Sequence, residues 1–295
     1  MQEEEIKKLK EAGKIAKQAV NYAREIIKPG MPLLEIAEKI EDKILELGGK
    51  PAFPVNLSID EVAAHSTPSW NDTKNARGLL KVDIGVHIEG YIADNAFSLD
   101  LENSEENKKL IEAAEKALEK ALEKLDLEVN LREVGKVIEK AISIRSLQAI
   151  RNLSGHSIER YNLHSGITLP NYDNSKNLEL KPGLYAIEPF ATSGLGSVRD
   201  GKPSEIYVVQ KTGNVRDEFS REVLKFILEE YKTLPFCSRW IHKRFGSRGL
   251  LALKRIEEAG ILHNYAQLIE RGVGKVAQAE HTVLLTIKEK CVTTL

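Results

Sequence analysis

Cysteine is almost missing from this sequence: among 295 residues there are two, Cys237 and Cys291. Two thiols without metal-ligand spacing exclude a disulfide framework and a cysteine-bound metal, and read as structural thiols in a reducing compartment. An excess of charge of one sign is missing too. The formal net charge is -1, whereas a chain built to grip phosphates carries a clear basic surplus, so nucleic acid is not expected as an obligatory partner. No apolar run is long enough to cross a bilayer, and the opening residues, MQEEEIKKLK, lack the apolar core of a signal peptide. The expectation is a cytoplasmic protein with no membrane partner. What is present is 42% hydrophobic and 29% charged residues, enough for one large domain, or one domain with an insert, around a sizeable core.

The organising stretch is Lys81 to Asp94, KVDIGVHIEGYIAD. Val82, Ile84, Val86 and Ile88 alternate with Asp83, Gly85 and His87, a period of two that predicts a strand with one apolar face. Glu89-Gly90 supplies the turn and Tyr91 to Leu99 the returning strand. Asp83 and Asp94 then come close across the pair. Two carboxylates facing each other inside a sheet repel, so something positive is expected between them, and a metal is the working hypothesis.

Around this hairpin the chain reads as a repeat. Glu3 to Ile27 predicts an amphipathic helix ended by Pro29-Gly30, and a second runs from about Pro32 to Leu47, closed by Gly48-Gly49. Further helices are predicted from about Glu105 to Leu125 and Leu131 to Ile144. EIAEKIEDKI from Glu35 aligns with EVGKVIEKAI from Glu133, and VNLS from Val55 with RNLS from Arg151. Two helices followed by the same tripeptide, twice, predict two halves of similar topology with a site between them. Beyond them, GLYAIEPF reads as one buried strand bearing Glu188, and Glu205 to Gln210 as another. Asp217 to Tyr231 and Leu250 to Leu268 read as helices of an inserted subdomain, with LPFCSRW between them. KVAQAEHTVLLTI reads as a closing strand with Gln278 and Glu280 on one face and His281 on the other. The expected division is a catalytic domain over residues 1–204, a helical insert over 205–265, and closing strands over 266–295.

Asp83, Asp94, His156, Glu188 and Glu280 are four carboxylates and one imidazole, four of them on strands apolar enough to be buried. Singly each has an ordinary explanation: a hairpin-mouth aspartate, a loop histidine, an ion-paired glutamate. Together they lack a matching set of lysines or arginines on the same strands, and buried charge without a partner is costly. Four carboxylates exceed the need of one divalent ion but suit two, at the ~3.5 to 4 Å separation of two-metal sites. Such a pair activates water and polarises a carbonyl, which points to hydrolysis. Oxygen-rich ligation with one imidazole fits cobalt, manganese, iron or zinc.

KPAFPVNLSI, AAHSTP, KVDIGVHIEGYIAD, RNLSGHSIERYNLHSGI, AIEPF, LPFCSRW and AQAEHT, in that order across nearly the whole chain, resemble the methionine aminopeptidases, specifically the short archaeal form of the type 2 branch. The resemblance implies a mixed α/β (α+β) pita-bread fold with pseudo-two-fold symmetry and a helical insert between Glu188 and Glu280. It implies an enzyme that removes the initiator methionine from nascent polypeptides when the second residue is small, by way of a hydroxide bridging the two metals. By the same resemblance Asp83 holds one metal, His156 and Glu188 the other, and Asp94 and Glu280 bridge. Glu188 relays the proton, His65 and His164 contact substrate and stabilise the tetrahedral intermediate, and Phe53 and Leu163 line the methionine pocket. The implied protein is a monomer, with the ribosome a partner left open.

The chain departs from the family pattern after His65, where Ser66 stands for a tyrosine and Asn71-Asp72 for Gly-Asp, which touches the cleft rim and not the ligands. An aminopeptidase or dipeptidase acting at proline shares the fold and the five ligands, but the type 2 insert counts against it. A non-catalytic relative that binds ribosomes or RNA would have lost ligands that this chain keeps. Of the other histidines, His87 shares a face with Asp83 without being a family ligand, His281 points away from the site, and His242 and His263 belong to packing or surface of the insert.

Overall fold

The computed structural model describes residues 2–295. Each half begins with a helix pair. In the first half α1 (Glu3–Ile26) and α2 (Leu33–Glu46) lead through β1 (Lys50–Pro51), β2 (Asn56–Ile59) and β3 (Val62–Ala64) to the hairpin β4 (Leu79–Ile88) and β5 (Tyr91–Asp100). In the second, α3 (Glu105–Lys124) and α4 (Leu131–Ser143) lead to β6 (Gln148–Ala149), β7 (Ser154–Ile158), β8 (Thr168–Pro170), β9 (Gly183–Ile187) and β10 (Phe190–Thr192). The long β11 (Val198–Val209) then enters a helical region: α5 (Glu218–Glu230), β12 (Phe236–Cys237) and α6 (Ser238–Glu258). The chain returns by β13 (Leu262–Glu270) and closes with β14 (Val276–Gln278), β15 (His281–Leu285) and β16 (Lys290–Val292).

The helices form where the sequence places apolar side chains on one face. In α1 that face is Ala12, Ile15, Ala16, Ala19, Val20 and Ala23, and it is buried against Val82, Ile84, Val86, Ala93 and Phe97 of the hairpin. In α3 the corresponding face, Leu110, Ala113, Ala114, Ala117 and Ala121, joins α4 over Tyr185, Ile187 and Val283 of β9 and β15. Alanines on the buried face of both helices let their backbones approach the strands closely. Ser104 caps α3 and Asn130 caps α4, each side chain accepting a backbone N–H of the first turn. Each half is therefore a helix pair over antiparallel strands, in the order that the duplicated motif predicts.

The hairpin closes as its sequence predicts. Glu89 and Gly90 both take left-handed φ, 50° and 87°, the primed turn whose twist matches two antiparallel strands. β5 then joins the second half at β15: the Asp94 N–H donates to Thr282 Oγ1 at 2.7 Å, the Thr282 hydroxyl donates to the Asp94 carbonyl at 2.8 Å, and the Glu280 N–H donates to the Ala96 carbonyl at 2.9 Å.

Three sequence-based expectations are corrected by the strand pairing. GLYAIEPF is two strands, β9 and β10, in different sheets, broken at Glu188-Pro189, since proline cannot donate to a continuing ladder. The closing strand is likewise two, β14 on β10 and β15 on β9, broken at Ala279-Glu280 opposite the first break. The helix expected over Leu250 to Leu268 is the end of α6, which starts at Ser238, followed by β13 paired with β11. Gly260, at φ 68°, stops the helix. Helices α5 and α6 share a core of Val223, Leu224, Ile227, Phe236, Ile241, Leu253 and Ile256. Residues 205 and 265, the expected bounds of the insert, fall within β11 and β13, which run on into the body where β13 pairs with β3.

Candidate metal centre

On β4 the apolar residues Val82, Ile84 and Val86 face the helices, which leaves Asp83, Gly85 and His87 on the opposite face. Asp94 lies directly across from Gly85 and Asp83 across from Ala96, so the two aspartates are diagonal neighbours on that face. Gly85 is needed between them, because a Cβ there would come within 2.2 Å of the Phe53 ring. His156 is in β7 with Ala186 of β9 as its partner, and Glu188 leaves the end of β9. Glu188 and Glu280 occupy the two facing breaks. At a break the chain steps between sheets, so each side chain is free of the alternation that would send it into a core.

These elements bring all the residues singled out in the sequence to one cavity of about 220 Å³, lined by Asp83, Asp94, His156, Glu188 and Glu280 together with His65, His164, Phe53 and Leu163. Asp94, His156 and Glu280 are buried, and one donor atom from each lies within 4.8 Å of the others. His156 Nε2 is 3.7 Å from Asp94 Oδ2 and 3.7 Å from Glu188 Oε1, too long for hydrogen bonds but suited to ligands spaced around a shared ion. Asp83 Oδ1, Asp94 Oδ1, His156 Nδ1 and Glu280 Oε1 are buried without a hydrogen-bond partner. Such orphaned atoms are rare in native proteins and call for an unseen cation or water.

The electrostatics agree. Burial raises the Asp83 carboxyl to about 7. Burial first, and the neighbouring carboxylates second, hold Asp94, Glu188 and Glu280 well above the usual carboxylate range. Burial, then His164, pushes the His156 imidazole down to about 3, so it is neutral and free to ligate. Four acids that resist ionising together, beside a neutral imidazole, could serve as the donor set of a divalent metal ion, and the residues fit one.

His164 lies against His156, ring centroids 4.3 Å apart, and is open to solvent at the cleft mouth. His65 holds a left-handed φ of 57° and packs on Tyr265 at 5.1 Å. Burial, then His164, lowers its pKa to about 4. Three other histidines are elsewhere: His281 pairs through Nδ1 with Thr294 Oγ1, His242 stacks on Trp70, and His263 meets Tyr265 edge to face. Ser66 accepts from Gln267 Nε2 at 3.2 Å, so that departure from the family pattern links the rim loop to β13.

The sequence reading missed part of the cleft. Gln278 is buried with its amide 3.2 Å from Glu280 Oε2 and 3.4 Å from Glu188 Oε2. Its place on the Glu280 face of AQAEHT was a visible signal. Tyr265 and Leu268 also line the cleft, and reading their segment as helix hid them. Ile206 and Pro235 line it from the insert side without any sequence signal.

The chain's likenesses to known proteins agree with this geometry. Residues 7–286 match metallopeptidase family M24. The chain is 47% identical over 295 residues to a methionine aminopeptidase of Pyrococcus abyssi, covering 98% of this chain and 99% of that one. Among solved structures it is similar to a methionine aminopeptidase from Thermotoga maritima, with TM-score 0.72 and 21% identity over 100% of this chain and 98% of the other. A thermophilic Arx1 superposes with TM-score 0.85 at 14% identity, over 99% of this chain and 91% of that one. At those identities the structures show the fold alone, which is the pita-bread fold implied by the motifs. The chain belongs to metallopeptidase family M24 and, within it, to the methionine aminopeptidases.

Proposed function

We infer that the protein is a metal-dependent aminopeptidase that removes an N-terminal methionine from polypeptides whose second residue is small. The observation that carries this reading is the convergence, in one cavity, of five ligand-type side chains with orphaned atoms, two further histidines and two apolar side chains. Asp83, Asp94, His156, Glu188 and Glu280 would hold the metal. Four carboxylates leave negative charge over one dication and balance two, so two ions are proposed for this set. Cobalt, manganese, iron and zinc all suit the donors. When bound, the ions supply an activated water and polarise the scissile carbonyl.

The chain's own residues do the rest. Phe53 and Leu163 surround the methionine side chain in the cavity of about 220 Å³, and a small second side chain is the one proposed to follow it. Glu188, at the solvent side of the cluster, takes the proton from the attacking water and returns it to the leaving amine. His164 and the neutral His65 present ring N–H groups to the substrate, where charge develops on the carbonyl oxygen. The insert acts as a wall of the cleft through Ile206, Pro235 and Tyr265.

The test is release of free methionine from Met-Ala-Ser and Met-Pro-Ala, against Ala-Pro-Ala, by metal-stripped protein with and without cobalt or manganese. Release from the methionyl peptides alone, and only with metal, is expected. Cleavage of Ala-Pro-Ala would move the reading to proline-directed hydrolysis. No cleavage by folded, metal-loaded protein would refute catalysis.

A further inference from the structure

Behind one wall of the catalytic cleft lies a second cavity, of about 340 Å³, between the insert and the body. Pro235 lines both cavities, so the Leu234-Pro235 segment is a partition between them. The sides of the second cavity are apolar or aromatic: Leu45, Pro51, Tyr231, Leu234 and Trp240.

His87 also lines it, four residues along β4 from Asp83 and 6% exposed. The Gly90 N–H donates to His87 Nδ1 at 3.0 Å, which places the imidazole proton on Nε2. Among the described residues no acceptor pairs with that Nε2–H. Nor is Nε2 one of the unpaired polar atoms sealed inside protein, so the space it reaches is the cavity. Burial, then Lys50, lowers the ring's pKa to about 4, and it stays a neutral donor near pH 7.

Two of the other polar groups of the wall, Glu41 and Lys50, are already matched. The Glu41 carboxylate accepts from Arg239 at 2.6 and 2.9 Å, from Trp240 Nε1 at 2.8 Å and from the Val55 N–H at 3.2 Å. Lys50 pairs with Glu230 at 2.7 Å. Glu38, Asp42 and Glu230 at the rim balance Lys50, Lys243 and Arg244, leaving no net charge. A charged ligand would lose hydration there without gaining a counter-charge, and a pure hydrocarbon would leave the buried imidazole N–H unpaired. The lining selects a neutral, ring-bearing molecule with a carbonyl-type acceptor, within the size range of ordinary ligand pockets.

We propose that this cavity is a second ligand site, distinct from the metal centre, for a neutral aromatic compound whose carbonyl-type oxygen accepts from His87. A molecule seated there touches the partition from behind and ties the insert to the body. It therefore alters turnover without competing for the catalytic cleft.

The probe is 2-naphthamide, titrated calorimetrically into metal-loaded protein beside naphthalene, which lacks the acceptor, and 2-naphthoate, which is charged. The amide is expected to bind about tenfold more tightly than the hydrocarbon, the worth of one hydrogen bond to a buried donor, and more tightly than the carboxylate. His87→Phe should erase the difference between amide and hydrocarbon. Leu45→Trp, at a position 53% exposed on the mouth, should abolish binding while leaving methionine release unchanged. If His87→Phe does not fold, the hydrocarbon comparison and Leu45→Trp still decide the matter. Inhibition by the amide should persist at saturating methionyl peptide. No binding of the amide at millimolar concentration overturns the proposal. So does binding that survives Leu45→Trp and is competitive with the peptide, because the probe is then in the catalytic cleft.

Discussion

Glu270 and Glu280 are ten residues apart, at the end of β13 and in the break just before β15, and are 0% and 1% exposed. Glu270 accepts the backbone N–H groups of Leu195, Gly196, Gly272 and Gly274, closing two loops around one carboxylate. Glu280 leaves Oε1 unpaired and faces Asp94, Glu188 and Asp83, whose charges reinforce the effect of burial on its pKa. Equal burial thus covers two conditions. A carboxylate whose acceptor capacity is filled by its own chain is scaffold, while one left unfilled among like charges is reserved for something from outside.

Substitution should separate the two. Glu280→Ala is expected to lower methionine release by about three orders of magnitude or more, since one of the proposed metal ligands goes and several kcal/mol of metal-derived stabilisation go with it. Its metal-free form should melt no lower than metal-free wild type, because the lost acid was held against burial and repulsion. Metal analysis with calorimetric melting checks both parts, and a large fall in metal-free Tm would erase the contrast. Within the cleft, His164→Ala sharpens the line between ligand and substrate contact. Turnover should drop by about two to three orders of magnitude with metal content intact, and steady-state kinetics with metal analysis would show either effect.

Glu270→Ala should behave in the opposite sense. Four backbone donors lose their acceptor, costing about 3 kcal/mol of stability, while metal content persists in the folded fraction. Denaturant unfolding measures the cost, and an unchanged midpoint would mean that burial alone, rather than satisfaction, distinguishes these acids. The smallest effect concerns His65. Its pKa in the fold is about 4 against an ordinary 6.5, so the stability it contributes is present above 6.5 and lost as pH falls towards 4. His65→Asn should flatten that part of the Tm profile between pH 7 and 4. A profile as steep as wild type would place the titration elsewhere.

The same contrast explains what could be read in advance. The hairpin was legible because Val82 to Ile88 alternate strictly and Glu89-Gly90 is turn chemistry, both local properties. The four acids of the candidate ligand set were legible because acids on apolar strands violate local patterning without visible compensation. The two strand breaks were not. AIEPF and AQAEHT each read as one strand, since nothing local says that the residues on either side of Glu188 and Glu280 pair with different sheets. The segment of β13 also reads as helix, because Leu262 to Leu268 suits a helical period, and only its pairing with β11 decides against it. Glu41 looked like any glutamate on an amphipathic helix. Its place under Arg239 and Trp240 depends on an insert nearly two hundred residues away.

From the sequence alone came the helix pairs, the duplication, the hairpin and the list of side chains that would meet, because periodicity, turn chemistry and uncompensated charge act between near neighbours in the chain. Only the tertiary structure decided how those side chains meet. It set Asp83 and Asp94 diagonally across Gly85, put Glu188 and Glu280 at facing breaks, left particular atoms of the cluster unpaired, and formed a second cavity beside His87. Those outcomes depend on register, sheet exchange and burial, which are set by contacts between segments far apart in sequence.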